Sequence, residues 1–466
     1  MKNDPALFSA TELLALYRSR RISPVEVTQA CLDRIAAVDA GLNAFTLVDG
    51  DAAMESARAS EERWVKGKPL GLVDGVPTTI KDLLLTKGWP TLRGSKAISP
   101  DQPWEEDAPA TARLREQGAI LLGKTTTPEL GHKGVTDSPL TGITRNPWDP
   151  AMTPGGSSGG AAVAAATGMG ALHVGTDGGG SIRIPASFTG IFGLKPSFGR
   201  VPAYPASPFG TVSHVGPMTR TVPDAALMLR VLACPDPRDW YALPAADKDY
   251  LAGLDDGVAG LKVAFAPTLN GAPVHPEVAA LVRRAAAEFT DLGAEVDEVV
   301  LDMPGTTDVF FAHWSAGAAT VMAGFTEEQK AMMDPHLRGF ESAGASLSLL
   351  DYQQAVLARA RLGMQMNQFH RRHDILLTPA MPIPAFEAGQ NEPNRPDDTG
   401  WIDWTPFSYP FNLTQQPAAS IPCGLTAAGL PVGLQIVGPM HRDDLVLRAA
   451  RAYEMRHPIA LPPVRP

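Results

Sequence analysis

Apolar positions along this chain recur with two periods. Helical spacing follows the segments that begin at Ser9 and Ser23 and runs through "VEVTQACLDRIAAV", "DGDAAMESARASEERWVKG", "PDAALMLRVLA" and "DDLVLRAARAYEMR", predicting amphipathic helices. Ser9-Ala-Thr-Glu12 and Ser23-Pro-Val-Glu26 carry a hydroxyl and a carboxylate three residues apart. Both predict capping boxes, the second with Pro24 in the first helical position. "VHPEVAALVRRAAAEFTDLGAEV" predicts a helix to its end, and residues 300–373 read as mainly helical. Short apolar runs without helical spacing predict buried strands: "LKVAFAP", "DILLTPA" and "GLPVGLQIVGP". "LVDGVPTTIKDLLLT" reads as strand and turn, and "PATARLREQGAILLGKT" as helix then buried strand, which together make a βαβ-like rhythm. Residues 140–220 are rich in Gly and Pro but hold short apolar runs ("GALHVGT", "GIFGLKP", "SHVGPM"), the pattern of strand ends and loops in a packed core. No internal repeat and no shift in composition divides the 466 residues, so one α/β domain is expected.

Composition changes this picture only by exclusion. The net charge of −10 without clustered Lys and Arg argues against a direct grip on nucleic acid. Cys31, Cys234 and Cys423 are odd in number, far apart and in no CxxC pair, which predicts neither a disulfide framework nor a zinc site and fits a reducing compartment. "MKNDPALFSATELL" carries no run long enough for a signal peptide, and the weakly polar stretch 159–175 is broken by Thr167 and His173. A cytoplasmic location without membrane contact is the expectation.

The chemistry concentrates in two stretches, "TPGGSSGGAA" at 153–162 and "TDGGGSIRIPAS" at 176–187. A flexible linker is the bland reading, but "AAVAAATGMGA" after the first stretch should be a small-residue helix, and a linker needs no second Gly-Gly-Ser followed by Arg183 and Pro185. A literal phosphate-loop pattern occurs elsewhere, Gly118-AILL-Gly123-Lys124-Thr125. Its "AILL" is itself a strand rather than a turn, so the match reads as accidental. Gly155-Gly156-Ser157-Ser158-Gly159 also matches the nucleophile elbow of α/β-hydrolase-type serine esterases, with His214, His370 or His441 as base. No strand leads into it, because "NPWDPAMTP" precedes it. The remaining reading joins both stretches to "GVPTTIKDLLLTKGWP". A serine needs a base, and a neutral lysine relayed through a second hydroxyl can serve as one. The consecutive N–H groups of Gly178, Gly179, Gly180 and Ser181 can converge on an oxyanion.

Over essentially its whole length the chain resembles the amidase signature family. "GVPTTIKD", "GKTTTPELG", "TRNPWDPAMTPGGSSGGAA", "GTDGGGSIRIPASFTGIFGLKPSFGRVP", "HVGPMTRTVPDAA" and "GLPVGLQIVGP" carry the likeness. The resemblance implies one α/β/α domain, 1–466, around a large mixed twisted sheet, with a core at about 70–220 and a variable pocket segment at about 300–370. It implies an amidase with Ser181 as nucleophile, Ser157 as bridging serine on a cis peptide, and Lys81 as base. It implies no cofactor and no metal, and a small-molecule amide as partner. A homodimer is left open. The A subunit of a tRNA-dependent amidotransferase is the alternative, although "ELGHKGVTDSPLTGITRNPWD" looks more like the stand-alone amidases.

Other residues carry weaker signals. Asp177 and Arg183 are expected to form a buried ion pair that stiffens the nucleophile loop. Thr153 is expected to brace the glycine turn, and Ser158 to be structural. Asp82 is expected to face away from Lys81, whose amine hydroxyls should surround, because a carboxylate there would hold the proton on. His370 and His373 share a helix face without a completing ligand set and read as a solvated face; "MQMNQF" reads as core. Gln415 stands where many family members have glycine, and either narrows the pocket or faces away. Phe310, Phe311, Trp314, Met322, Phe325, Met332 and Met333 either line an apolar pocket, which would suit an apolar or aryl amide, or simply fill the core.

Overall fold

The computed structural model describes residues 4–245, 248–393 and 401–464. Its main sheet has eleven strands: β1 (Phe45–Val48), β2 (Pro77–Lys81), β3 (Ile120–Thr125), β6 (Leu172–Asp177), β7 (Phe192–Lys195), β8 (His214–Thr219), β9 (Lys262–Phe265), β10 (Glu295–Glu298), β11 (Ile375–Pro379), β12 (Ala418–Leu425) and β13 (Pro431–Val437). A separate ribbon pairs β4 (Asp137–Ser138) with β5 (Gly142–Ile143). The order is β1-β3-β2-β6-β8-β7-β12-β13-β11-β9-β10. The sheet is mixed: β3, β2 and β6 run parallel, as do β11, β9 and β10, and the strands between them pair antiparallel.

Both faces of the sheet are covered. In β11, Ile375 and Leu377 join one apolar core while Leu376 joins the other; in β9, Val263 and Phe265 oppose Ala264 in the same way. This is the period-2 alternation of a strand buried on both sides, and it accounts for the uninterrupted apolar runs. The first core is closed by helices including Pro24–Leu42, Val222–Leu232 and Asp443–Glu454, the second by helices including Thr306–Met322 and Leu349–Phe369. Both capping boxes form: the Ser9 and Ser23 hydroxyls accept from the Glu12 and Glu26 N–H groups, and each glutamate accepts in return from its serine N–H.

Three elements differ from the sequence reading. The helix predicted through "GAEV" stops at Asp291; Gly293, at φ +91°, turns the chain, and Glu295–Glu298 becomes the edge strand β10 beside β9. β12, "AASIPCGL", carries little intrinsic strand signal and is held by its neighbours, whereas β1, "FTLV", is rich in strand formers but only four residues long. The supposed phosphate loop is indeed strand β3. Its Lys124 is buried, with Nζ donating to the Leu84 carbonyl (2.9 Å) and Thr91 Oγ1 (2.7 Å) and lying 3.3 Å from Asp82.

Candidate active site

Lys81 ends β2, and Thr176 and Asp177 end the adjacent parallel strand β6, so the site opens at the carboxyl ends of parallel strands, where α/β sheets present their crevices. The "GGSSGG" block lies in front of these ends and leads into the small-residue helix Gly159–Thr167. Its glycines permit a close approach that nothing larger would: a Cβ on Gly156 would lie 2.4 Å from the Val135 backbone. Thr153 Oγ1 accepts from the Gly155 N–H at 3.1 Å, bracing the turn as expected. The Gly156–Ser157 peptide is cis. The two serine stretches are tied together directly, since the Ser158 N–H donates to the Ser181 carbonyl (3.1 Å).

The Lys81 amine is fully buried and surrounded by hydroxyls. Nζ lies 2.7 Å from Ser157 Oγ, 2.8 Å from Ser158 Oγ and 2.9 Å from Thr176 Oγ1. Asp82 is turned to Lys124 instead. Burial pushes the Lys81 pKa well below the usual lysine value, with the charge of Asp177 acting weakly the other way. Ser158, expected to be structural, also touches the amine. Its hydroxyl hydrogen goes to the Thr176 carbonyl (3.1 Å), and its oxygen therefore accepts from Nζ. A neutral amine has two hydrogens and one lone pair, and three hydroxyl neighbours match that inventory. With Ser158 accepting, the lone pair is left for Ser157 or Thr176. Thr176 was missed because nothing local marks it; only the pairing of β2 with β6 brings it to Lys81.

Asp177 organises the loop that carries Ser181. Its Oδ1 accepts from the Gly180 N–H (2.8 Å) and Asn412 Nδ2 (2.8 Å), its Oδ2 from the Ile182 N–H (3.2 Å), and both oxygens accept from Arg183 at 3.0 Å. Burial alone would raise the Asp177 pKa; the Arg183 guanidinium, helped by Lys195 and Asn412, overcomes it and holds the carboxyl well below the usual range. The remaining Arg183 donors go to the Ser408 carbonyl, Gln435 and Asn412, so this arginine is consumed by the fold. One expectation is corrected here. The Gly180 N–H is engaged by Asp177 and is not free for an oxyanion, whereas those of Gly178, Gly179 and Ser181 have no protein acceptor among the described residues.

A cavity of about 150 Å³ joins Ser157, Thr176, Gly178 and Ser181 to an apolar wall. Of the aromatic and methionine residues at 305–370, only Trp314 lines it. Phe310, Met322 and Met333 are core, Phe311 and Met332 are exposed, and Phe325 borders a neighbouring groove. Trp314 is fixed by stacking on Phe209 (4.2 Å) and Phe310 (5.3 Å), and its Nε1 donates to the His132 carbonyl. Much of the wall is instead the segment 203–209, which the sequence did not mark.

The rival bases lie elsewhere. No histidine hydrogen-bonds to Ser157 or Ser181 among the described residues. His214 Nδ1 faces the Val212 and Asp177 carbonyls, and the His441 N–H donates to Ser197 Oγ. His370 and His373 do not form a solvated face: both are half-buried and pack on the Phe369 ring, and His370 caps the helix Leu349–Phe369. In the methionine patch Met366 is core but Met364 is exposed. Gln415 sits outside this cavity, at φ +64°, with Nε2 donating to the Thr211 carbonyl; a left-handed φ is one that glycine adopts without strain.

Comparison with known proteins agrees with this geometry. The family model described as Amidase matches residues 26–447. The chain is 37% identical to an acylamidase of Rhodococcus erythropolis, over 97% of this chain and 96% of that protein. It is also 37% identical to the A subunit of the glutamyl-tRNA(Gln) amidotransferase of Myxococcus xanthus, over 96% of each. Among solved structures, a bacterial aryl acylamidase of the amidase signature family superposes with a TM-score of 0.90 at 34% identity, over 97% of this chain and 96% of that one. A 6-aminohexanoate cyclic dimer hydrolase superposes at 0.88 and 27% identity, over 97% and 98%. A glycine-serine block at the carboxyl ends of parallel strands, a lysine amine enclosed by hydroxyls and these full-length matches lead to one conclusion: the chain belongs to the amidase family.

Proposed function

We propose that this hydrolase of amide C–N bonds uses Ser181 as nucleophile, Ser157 as bridging acid and base, and neutral Lys81 as the base behind it. The observation that carries the reading is the buried amine 2.7 Å from Ser157 Oγ, with no carboxylate bonded to it among the described residues. The amine takes the Ser157 proton as Ser157 takes that of Ser181, and Ser181 Oγ attacks the amide carbonyl. The negative oxygen is met by the free N–H groups of Gly178, Gly179 and Ser181. Ser157 then protonates the leaving amine and recovers its proton from Lys81. Water releases the acyl group through the same relay. Asp177, Arg183 and Thr153 act by holding the two loops in place.

Trp314 and the apolar wall support an aryl or other apolar acyl amide, anilide or carbamate as substrate. The likeness to an acylamidase and an aryl acylamidase points the same way. The purified chain alone is therefore expected to hydrolyse a simple anilide without ATP or RNA. Activity that appears only after the other amidotransferase components are added would establish the second reading, which the equal identity to an amidotransferase component supports. The site offers an amine and hydroxyls, and no cluster of three metal-ligating side chains occurs among the described residues. EDTA is thus expected to leave the rate unchanged; loss with rescue by one divalent ion would overturn the metal-free mechanism. One sheet drawing strands from residues 45 to 437 supports reading 1–466 as a single domain. No helix of the described residues is long and apolar enough to cross a membrane. A cytoplasmic enzyme without membrane or direct nucleic-acid contact, with a homodimer as the assembly left open, fits these features.

A further inference from the structure

Two bulky residues of the cavity wall, Arg93 and Leu130, sit in the left-handed region at φ +55° and +51°. L-residues with side chains are uncommon there, and such outliers concentrate where a side chain must be aimed. The two turns hold each other: the Leu130 N–H donates to the Arg93 carbonyl at 2.8 Å. The next residue, Gly94, at φ +68°, packs so tightly that a Cβ would lie 2.6 Å from the Thr127 carbonyl oxygen. The backbone that presents Arg93 is therefore closely held.

The guanidinium itself is unpaired. Among the described residues it makes no side-chain hydrogen bond and no ion pair, although it is half-buried and borders the same cavity as Ser157 and Ser181. The carboxylate whose field reaches it, that of Asp82, is turned to Lys124 at 3.3 Å. Arg93 also borders a second groove whose wall carries Glu105 and Glu106, neither within ion-pair distance. The contrast with Arg183, whose donors are all taken inside the fold, is direct. Five N–H donors in a planar fork match a carboxylate.

Resting on the amidase reading above, we propose that Arg93 is the specificity-determining residue of this cavity and selects amides that carry a carboxylate away from the scissile bond. The apolar wall holds the body of such a substrate and the guanidinium its charged end. The reaction at Ser181 is the same as for a neutral amide, so the selection acts on binding.

The test compares matched pairs that differ only in charge. Succinanilate and 4-methylpentananilide place the carboxylate, or an isopropyl group of like shape, on the acyl side; 4-acetamidobenzoate and 4-isopropylacetanilide do so on the amine side. Affinities are measured by calorimetry in the full chain carrying Ser181→Ala, which binds without turnover. In at least one pair the acid is expected to bind about tenfold to a hundredfold tighter than its neutral partner, the range for a hydrogen bond to a charged group. Adding Arg93→Leu should collapse that ratio to near one, and Arg93→Lys should keep part of it. Equal affinities within both pairs, no binding of either acid, or a ratio that survives Arg93→Leu would overturn the proposal. The amidase reading is scored separately, by whether the unmutated chain hydrolyses any of the four.

Discussion

Ser181→Ala is expected to lower kcat/KM for an anilide on the order of 10⁴–10⁶-fold, the cost of removing a nucleophile from a relay that acts as a unit. Folding should survive. The Ser181 hydroxyl makes no hydrogen bond to the protein among the described residues, and what fixes its loop is the Asp177 carboxylate bound to the N–H groups of Gly180 and Ile182. Deleting one oxygen at the cavity wall leaves that arrangement whole. The thermal midpoint should stay within a few degrees, and a serine-directed sulfonyl fluoride should label the unmutated chain at Ser181 and leave the variant untouched. If the label maps to Ser157 and Ser181→Ala keeps its activity, the nucleophile is the first serine and the elbow reading prevails. Because no histidine is seen bonded to Ser157 among the described residues, that outcome would also require a base other than those the elbow reading offers.

What could be read from the sequence follows from how locally each feature is encoded. The capped helices at Ser9 and Ser23 were legible because hydroxyl and carboxylate lie within one turn. The stretches that carry the candidates Lys81, Ser157 and Ser181 stood out because their glycines allow close approach and, at Gly155 and Gly180, a positive φ. The expectation for Asp82 succeeded on electrostatics alone, since a carboxylate at the amine would have kept it protonated. Thr176 was not legible as a partner of the amine, because it reaches Lys81 only through the pairing of neighbouring strands. Asn412 and Gln435 brace Asp177 and Arg183 from more than 200 residues away, and no local pattern announces that. The free N–H groups of 178–181 were overcounted for a related reason: a run of glycines shows how many N–H groups are present, not which one the preceding aspartate has already taken. β12 and β10 were missed because sheet neighbours, not intrinsic preference, make them strands.

Lys81→Ala is expected to lower amide hydrolysis by about 10²–10⁴-fold, the contribution typical of a positioned acid–base group. An ester of the same acyl group should lose clearly less, because an alkoxide leaves more readily than an unprotonated amine and depends less on the proton that Lys81 returns through Ser157. The pH profile carries the second half of the argument. An exposed lysine, with a pKa near 10.4, is almost wholly protonated at neutral pH. Full burial among hydroxyls pushes the Lys81 pKa well down, with Asp177 acting against it, and only the neutral amine can accept the Ser157 proton. The sign follows: the active form is the deprotonated one, so kcat/KM should be highest above the depressed pKa and fall as pH drops through it. In Lys81→Ala that acidic limb should disappear from the residual activity. Asp177 does not imitate the limb in this range, since its own carboxyl is held well below the usual carboxylate value. Measuring amide and ester profiles in both proteins separates the roles. Equal and small losses for both substrates, with the acidic limb unchanged, would make Lys81 a structural lysine and remove the base from the proposed relay.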